Sequence, residues 1–233
     1  MILFASFWLG GIFGVALWLY ISGFITRLQN DIYNNYIELF PQNLPSFQPH
    51  FAEVQQKKSG HILGYFLITG LILTLITAIT ENPLFALWLG CTIILLWAIA
   101  YLDWQYQLIS PTPCLWLLAL GLFGATQSLS PLTLIQSLQS AVIFFVVFYG
   151  IYQLAKWYYQ KEAFGRGDYW LALGIGSYLP TEHLPLFLLI ACALGILFAI
   201  LFKRKERFLP FAPFLCVSIL VVFTINLTML YKK

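Results

Sequence analysis

The stretch LFALWLGCTIILLWAIAYLD, residues 84–103, carries no formal charge until its last position, Asp103. A helix needs about 20 apolar residues to cross roughly 30 Å of hydrocarbon, so the stretch reads as a membrane span that ends on a carboxylic acid. An ionisable group in such a segment costs about 2.5–3.5 kcal/mol on insertion scales and by default signals function. A second acid shows the pattern in reverse: Gly165-Arg166-Gly167-Asp168 opens an uncharged run from Tyr169 to Thr181. Two such acids suggest a pair.

The rest of the chain agrees with a membrane setting. Of its 233 residues 61% are hydrophobic and only 9% charged, and the mean hydropathy is +0.83, whereas soluble domains are roughly a quarter charged. Uncharged or nearly uncharged segments at about 2–26, 62–80, 84–102, 112–129, 133–155, 168–180, 184–202 and 209–230 predict an all-α, polytopic bundle of about eight transmembrane helices in a single membrane domain, 1–233. The first run has no basic residue ahead of it and is longer than a signal peptide's apolar core, so it reads as a retained helix. The sixth is short, and Gly174 and Gly176 weaken it, which predicts a segment that is tilted, broken or packed inside the bundle.

With the N-terminus outside, the loops 27–61, 103–111, 156–167 and 203–208 are cytoplasmic, and of the twelve Lys and Arg only Lys232 and Lys233 fall outside. This placement follows the positive-inside rule and sets both acids at the cytoplasmic end of their helices. The long hydrophilic loop 27–61, with Pro41, Pro45 and Pro49, has a pattern that leaves its fold open. The basic residues form no stripe, so no nucleic-acid partner is indicated. Cys91, Cys114, Cys192 and Cys216 stand alone in apolar runs and read as small packing residues, while His50, His61 and His183 are isolated. No metal site is predicted.

Two carboxyl groups at one depth are what an aspartic protease needs: the ionised one activates water and the protonated one polarises the scissile carbonyl, because like charges at close range cannot both ionise. Either acid alone is equally well explained as a helix cap at the membrane boundary; the matched depth favours the pair. Asp168 at a helix start and Asp103 near a helix end meet opposite helix dipoles, which predicts that Asp168 is the more acidic member. Gly165 and Gly167 give the backbone freedom to turn into the helix that follows.

These residues resemble those of the type IV prepilin peptidases, membrane aspartic proteases of the Gly-x-Gly-Asp class. The run Lys161-Glu162-Ala163-Phe164-Gly165-Arg166-Gly167-Asp168 matches the family's second aspartate, and Asp103 followed by Pro111 matches the first. Leu209-Pro210-Phe211-Ala212-Pro213-Phe214-Leu215 is similar to the family's Pro-Phe-Gly-Pro start of the last helix. The resemblance covers about 81–216, the catalytic region it implies. It implies Asp103 and Asp168 as the catalytic dyad, with Gly165, Gly167 and Pro111 as supporting motif residues. It further implies cleavage of the basic leader from type IV prepilins or pseudopilins at the cytoplasmic face of a bacterial inner membrane, with the lipid bilayer holding the substrate.

The chain departs from the family pattern in its N-terminal part. Full-length members carry zinc-binding Cys-x-x-Cys pairs after the first helix, and none stands between Arg27 and His61. Zinc is therefore not expected, proteolysis needs no cofactor, and S-adenosylmethionine, the family's methyl donor, stays an open cofactor. Trp170 stands where many members have Lys, and Ala163 and Ala212 replace glycines. Two other readings follow from the same acids: a small proton- or ion-coupled transporter, and an inactive relative that acts in assembly.

Overall fold

Lipid offers no partner to a peptide N–H or carbonyl, so apolar runs of spanning length are stable only with their backbone bonds closed internally, as helices. The computed structural model describes residues 1–41, 54–80, 82–160, 165–202 and 209–231, and it is helical through every apolar run. Nine α-helices occur among the described residues: α1 (Ile2–Ser22), α2 (Phe24–Leu39), α3 (Ile62–Ile79), α4 (Pro83–Tyr106), α5 (Pro111–Thr126), α6 (Leu134–Tyr159), α7 (Asp168–Gly176), α8 (Leu184–Phe202) and α9 (Ala212–Tyr231). Among the described residues five segments are long and apolar enough to cross a membrane: α1, α3, α4, α6, and α8 with the short 3-10 turn Thr181–His183 before it. The chain is a multi-pass membrane protein. Its contacts divide it into two compact units, Met1–Gly90 and Cys91–Lys233, with the boundary inside α4.

In the first unit α1 packs on α3, where Gly10 approaches so closely that a Cβ there would stand 2.6 Å from the Thr69 carbonyl oxygen. The sequence reading of one helix over 2–26 needs correction, and the fold left open for the loop after it is partly helical. The chain breaks at Gly23, and α2 occupies the first part of the expected loop. The signal was present as an apolar stripe, Phe24, Leu28, Ile32, Tyr36 and Phe40, at helical spacing. Gln56 bridges the break, donating to the Ile21 carbonyl at 3.1 Å and accepting the Ile25 N–H at 2.9 Å. Arg27 donates to the Tyr20 carbonyl. Residues 42–53 of the expected loop lie outside the described residues.

The second unit is built around α7. At nine residues it is about 13 Å long, so the expected sixth span over 168–180 does not cross a membrane as a helix by itself. Its shortness is compatible with the bundle because its far end finds acceptors and donors on neighbours: Ser137 and Ser140 of α6 donate to the carbonyls of Ser177 and Leu179, at 2.7 and 2.5 Å. Tyr178 donates to the Leu117 carbonyl at 3.1 Å and meets Thr92 of α4 at the same distance. The two glycines that weaken α7 as a helix are what let it sit between α5 and α6. A Cβ at Gly174 would come within 2.9 Å of the Cys114 carbonyl oxygen, and one at Gly176 within 2.8 Å of the Ala141 Cα.

Other boundaries have local causes. Thr133 and Gln136 form a capping box that starts α6, and Pro111 takes the first turn of α5, where its missing N–H costs nothing. Helix α4 runs one turn beyond the expected end at 102, so Asp103 lies inside the helix. Gln107, at φ 53°, then stops it in the left-handed region.

Because Gly176 is clasped by backbone and ring atoms, Gly176→Val is expected to destabilise the protein by about 1–3 kcal/mol and to lower Tm in detergent. Gly150 of α6 has no neighbour within 4 Å of a built Cβ, so Gly150→Ala should leave Tm unchanged or raise it. Thermal unfolding of both variants checks the pair.

Candidate active site

Four helix ends supply the site. Asp103 stands in the last turn of α4, Cys114 in the first turn of α5, Asp168 at the first residue of α7 and Cys216 early in α9. Asp103 and Asp168 are both buried, at 5% and 4% exposure, in surroundings of apolar side chains. They are close enough for the charge of Asp103 to act on Asp168. Cys114 feels Asp168, and Cys216 feels both acids and Cys114, so the four side chains share one neighbourhood. The sequence-predicted pair is thus brought together, with the buried packing cysteines Cys114 and Cys216 within its electrostatic reach.

Each carboxylate is held by a backbone amide. Asp103 Oδ2 accepts the N–H of Ala212, the first residue of α9, at 3.0 Å. The Asp168 carboxylate accepts the Gly165 N–H, while its own N–H donates to the Gly165 carbonyl at 3.2 Å. That reciprocal pair closes the Gly-x-Gly-Asp turn onto the acid it precedes, and a Cβ at Gly165 would press within 2.8 Å of Asp168 Oδ2. A Cβ at Gly167 would overlap Ile109, which is how the residues before Pro111 touch the turn. Arg166 is exposed between the two glycines.

The helix-dipole contrast expected between the acids is absent. Asp168 begins α7, but Asp103 also meets a helix N-terminus, that of α9, through Ala212. The sequence reading considered only the helix to which each acid belongs. A tertiary contact across more than a hundred residues cancels that distinction.

Aromatic side chains flank the site. Tyr169 packs against Phe145, Tyr149 and Tyr152 of α6, with ring centroids 5.5 to 5.7 Å apart. On the other side Trp104 meets Phe198 at 5.4 Å, and Phe198 meets Phe214 at 5.6 Å. The residue following each acid is thus an aromatic anchor. Of the three histidines, His61 precedes α3 in the first unit, His183 lies in the 3-10 turn before α8, and His50 is outside the described residues. The segment between α1 and α3 holds no Cys, so it does not supply the sulfur donors of the family's zinc site.

When two carboxyl groups lie close together in an apolar site, desolvation and mutual repulsion both oppose full ionisation. Such a pair can take a proton from water and give one to a polarised carbonyl in the same event.

Residues 90–200 match the type IV leader peptidase family. A prepilin leader peptidase/N-methyltransferase of Haemophilus influenzae is 58% identical over 226 residues, covering 97% of this chain and 98% of its own. A type 4 prepilin-like proteins leader peptide-processing enzyme of Escherichia coli is 36% identical over 111 residues, 48% of this chain and 40% of its own length. A prepilin leader peptidase/N-methyltransferase of Legionella pneumophila is 30% identical over 162 residues, 62% of this chain and 55% of its own. No solved structure gives a significant match.

A buried acid facing another is a liability for stability. Asp168→Asn keeps an acceptor for the Gly165 N–H and removes the like charge, so Tm in detergent is expected to stay level or rise. A fall of about 3 °C or more, on the order of 1 kcal/mol or above, would show instead that the ionised form holds the fold together.

Proposed function

Because the chain belongs to the type IV leader peptidase family, we propose that it is a membrane-embedded aspartic endopeptidase whose catalytic dyad is Asp103 and Asp168. The supporting observation is two buried carboxyl groups in one electrostatic neighbourhood, each fixed by a backbone amide, at matched helix ends. Its substrates are type IV prepilins or pseudopilins, the class for which the relatives are named. The distribution of basic residues among the loops supports a site at the cytoplasmic face of a bacterial inner membrane. A substrate already held in the bilayer by its apolar helix then presents its leader junction at the depth of the acids.

The chemistry follows from the shared proton. One carboxylate takes a proton from water as the oxygen attacks the scissile carbonyl carbon. The protonated partner donates to the carbonyl oxygen. The tetrahedral intermediate collapses as the acid that took water's proton passes it to the departing amine and the former carbonyl oxygen returns its proton to the other acid, which restores the dyad. Both proton transfers run through the two acids, so proteolysis as written uses neither zinc nor another cofactor. S-adenosylmethionine enters only if this chain also performs the methyl transfer named for the Haemophilus influenzae relative.

Incubation of the purified full chain with a prepilin tests the reading. Leader cleavage should fall at least about a hundredfold in Asp103→Asn and again in Asp168→Asn, since general acid–base groups typically contribute that much or more. Ion flux into vesicles without cleavage would favour the transporter reading, and an intact prepilin with no flux the inactive relative. The mass of the processed N-terminus reads cleavage and methylation in one measurement.

A further inference from the structure

Helix α9 starts in an unusual way. An α-helix leaves its first four N–H groups without partners inside the helix, and the residue before it ordinarily supplies a side-chain cap. Here that residue is Phe211, which has no acceptor in its side chain. Pro213 has no N–H to satisfy, and the N–H groups of Phe214 and Leu215 both turn back to the Phe211 carbonyl, at 3.1 and 3.2 Å. One donor of the first turn is left over, that of Ala212, and it goes to Asp103 Oδ2 at 3.0 Å. Ala212 is fully buried, so water does not compete for that amide.

The accounting runs equally well from the acid. Asp103 sits in the final turn of α4, where its own helix offers it carbonyls rather than amides. Asp168 from α7 and Cys216 from α9 both lie within reach of its charge. An amide bonded to a carboxylate is a directional contact that fixes the rotamer of the acid.

We propose that Ala212 is a positioning residue for the dyad: its peptide N–H, singled out by the Pro210-Phe211-Ala212-Pro213 start of α9, holds the Asp103 carboxyl in its reacting orientation. The side chain of Ala212 has no part in this; the amide does. The inference rests on Asp103 being catalytic, as proposed above. Its consequence is that the start of α9 belongs to the active site although no side chain of that turn reacts.

The test removes the amide without changing the side chain. Replacing Ala212 by lactic acid through nonsense suppression exchanges the N–H for an ester oxygen and keeps the methyl group. Ala212→Pro removes the same donor by ordinary mutagenesis at a helix position where proline is tolerated. With a prepilin as substrate, the ester variant should lose kcat roughly ten- to a hundredfold, the usual range for a hydrogen bond to a charged group, with KM within about twofold. Ala212→Gly, which keeps the N–H but removes a buried methyl group, should lose clearly less kcat than the ester variant. Parental kcat in the ester variant, while Asp103→Asn is inactive, overturns the inference and leaves the dyad standing. An equal loss in Ala212→Gly, or a rise in KM at unchanged kcat, overturns it in favour of packing or docking. Full cleavage by Asp103→Asn sinks the dyad itself. The ester variant decides the matter if Ala212→Pro fails to fold.

Discussion

Two carboxyl groups, each about 95% removed from contact with the outside, stand within electrostatic reach of one another, and much of the second unit is arranged around that fact. A lone buried carboxylate is already costly, and a second like charge beside it makes full ionisation worse. The arrangement survives because neither acid is left to apolar neighbours alone: Gly165 offers its amide to one and Ala212 to the other. Backbone donors suit this role, since they bring partial positive charge without a side chain that could form a full ion pair and hold both acids ionised. The glycines of the Gly-x-Gly-Asp turn are space as much as flexibility. A side chain at Gly165 would press on Asp168, and one at Gly167 would collide with Ile109.

Bringing Asp168 to that depth requires a helix that starts inside the bundle, and α7 is such a helix. It is too short to span, and its C-terminal carbonyls would be stranded in hydrocarbon if the serines of α6 did not meet them. Irregular backbone at membrane depth is tolerated where protein surrounds it. The same glycines that depress the helix propensity of α7 admit it between α5 and α6, so a local weakness and a tertiary requirement have one cause.

The sequence carried the all-helical class, most helix positions and both acids, because charge-free runs and interrupting carboxylates are strong signals in a membrane chain. What it hid were features decided by contacts between distant residues. Helix α2 was masked by its polar face and the neighbouring prolines, although its apolar positions repeat every four residues. The extra turn of α4 was hidden because Asp103, Gln105 and Gln107 look like the start of a loop; only the left-handed turn at Gln107 marks the stop. Ala212 could be quoted as part of a motif but given no task, since a backbone amide has no sequence signature. The opposite-dipole argument failed for the same reason: it used each acid's own helix and missed the helix that meets Asp103 from elsewhere.

The placement of the acids at helix ends rather than mid-span bears directly on proteolysis. A peptide bond is cut only when it is extended enough for water to approach the carbonyl carbon, and a helix within hydrocarbon keeps every carbonyl engaged in the next turn. Mid-span acids would face a substrate with its backbone closed and little water to activate. At the ends of α4, α7 and α9 the surrounding backbone is itself changing direction, as the turns at Gly165 and Gln107 show. A substrate entering this layer, where its own helix begins, offers an open carbonyl at the depth of the acids. On the proposed activity, the short α7 and the amide-held acids thus solve one problem: they keep a buried proton pair intact while setting it where an embedded substrate first unwinds.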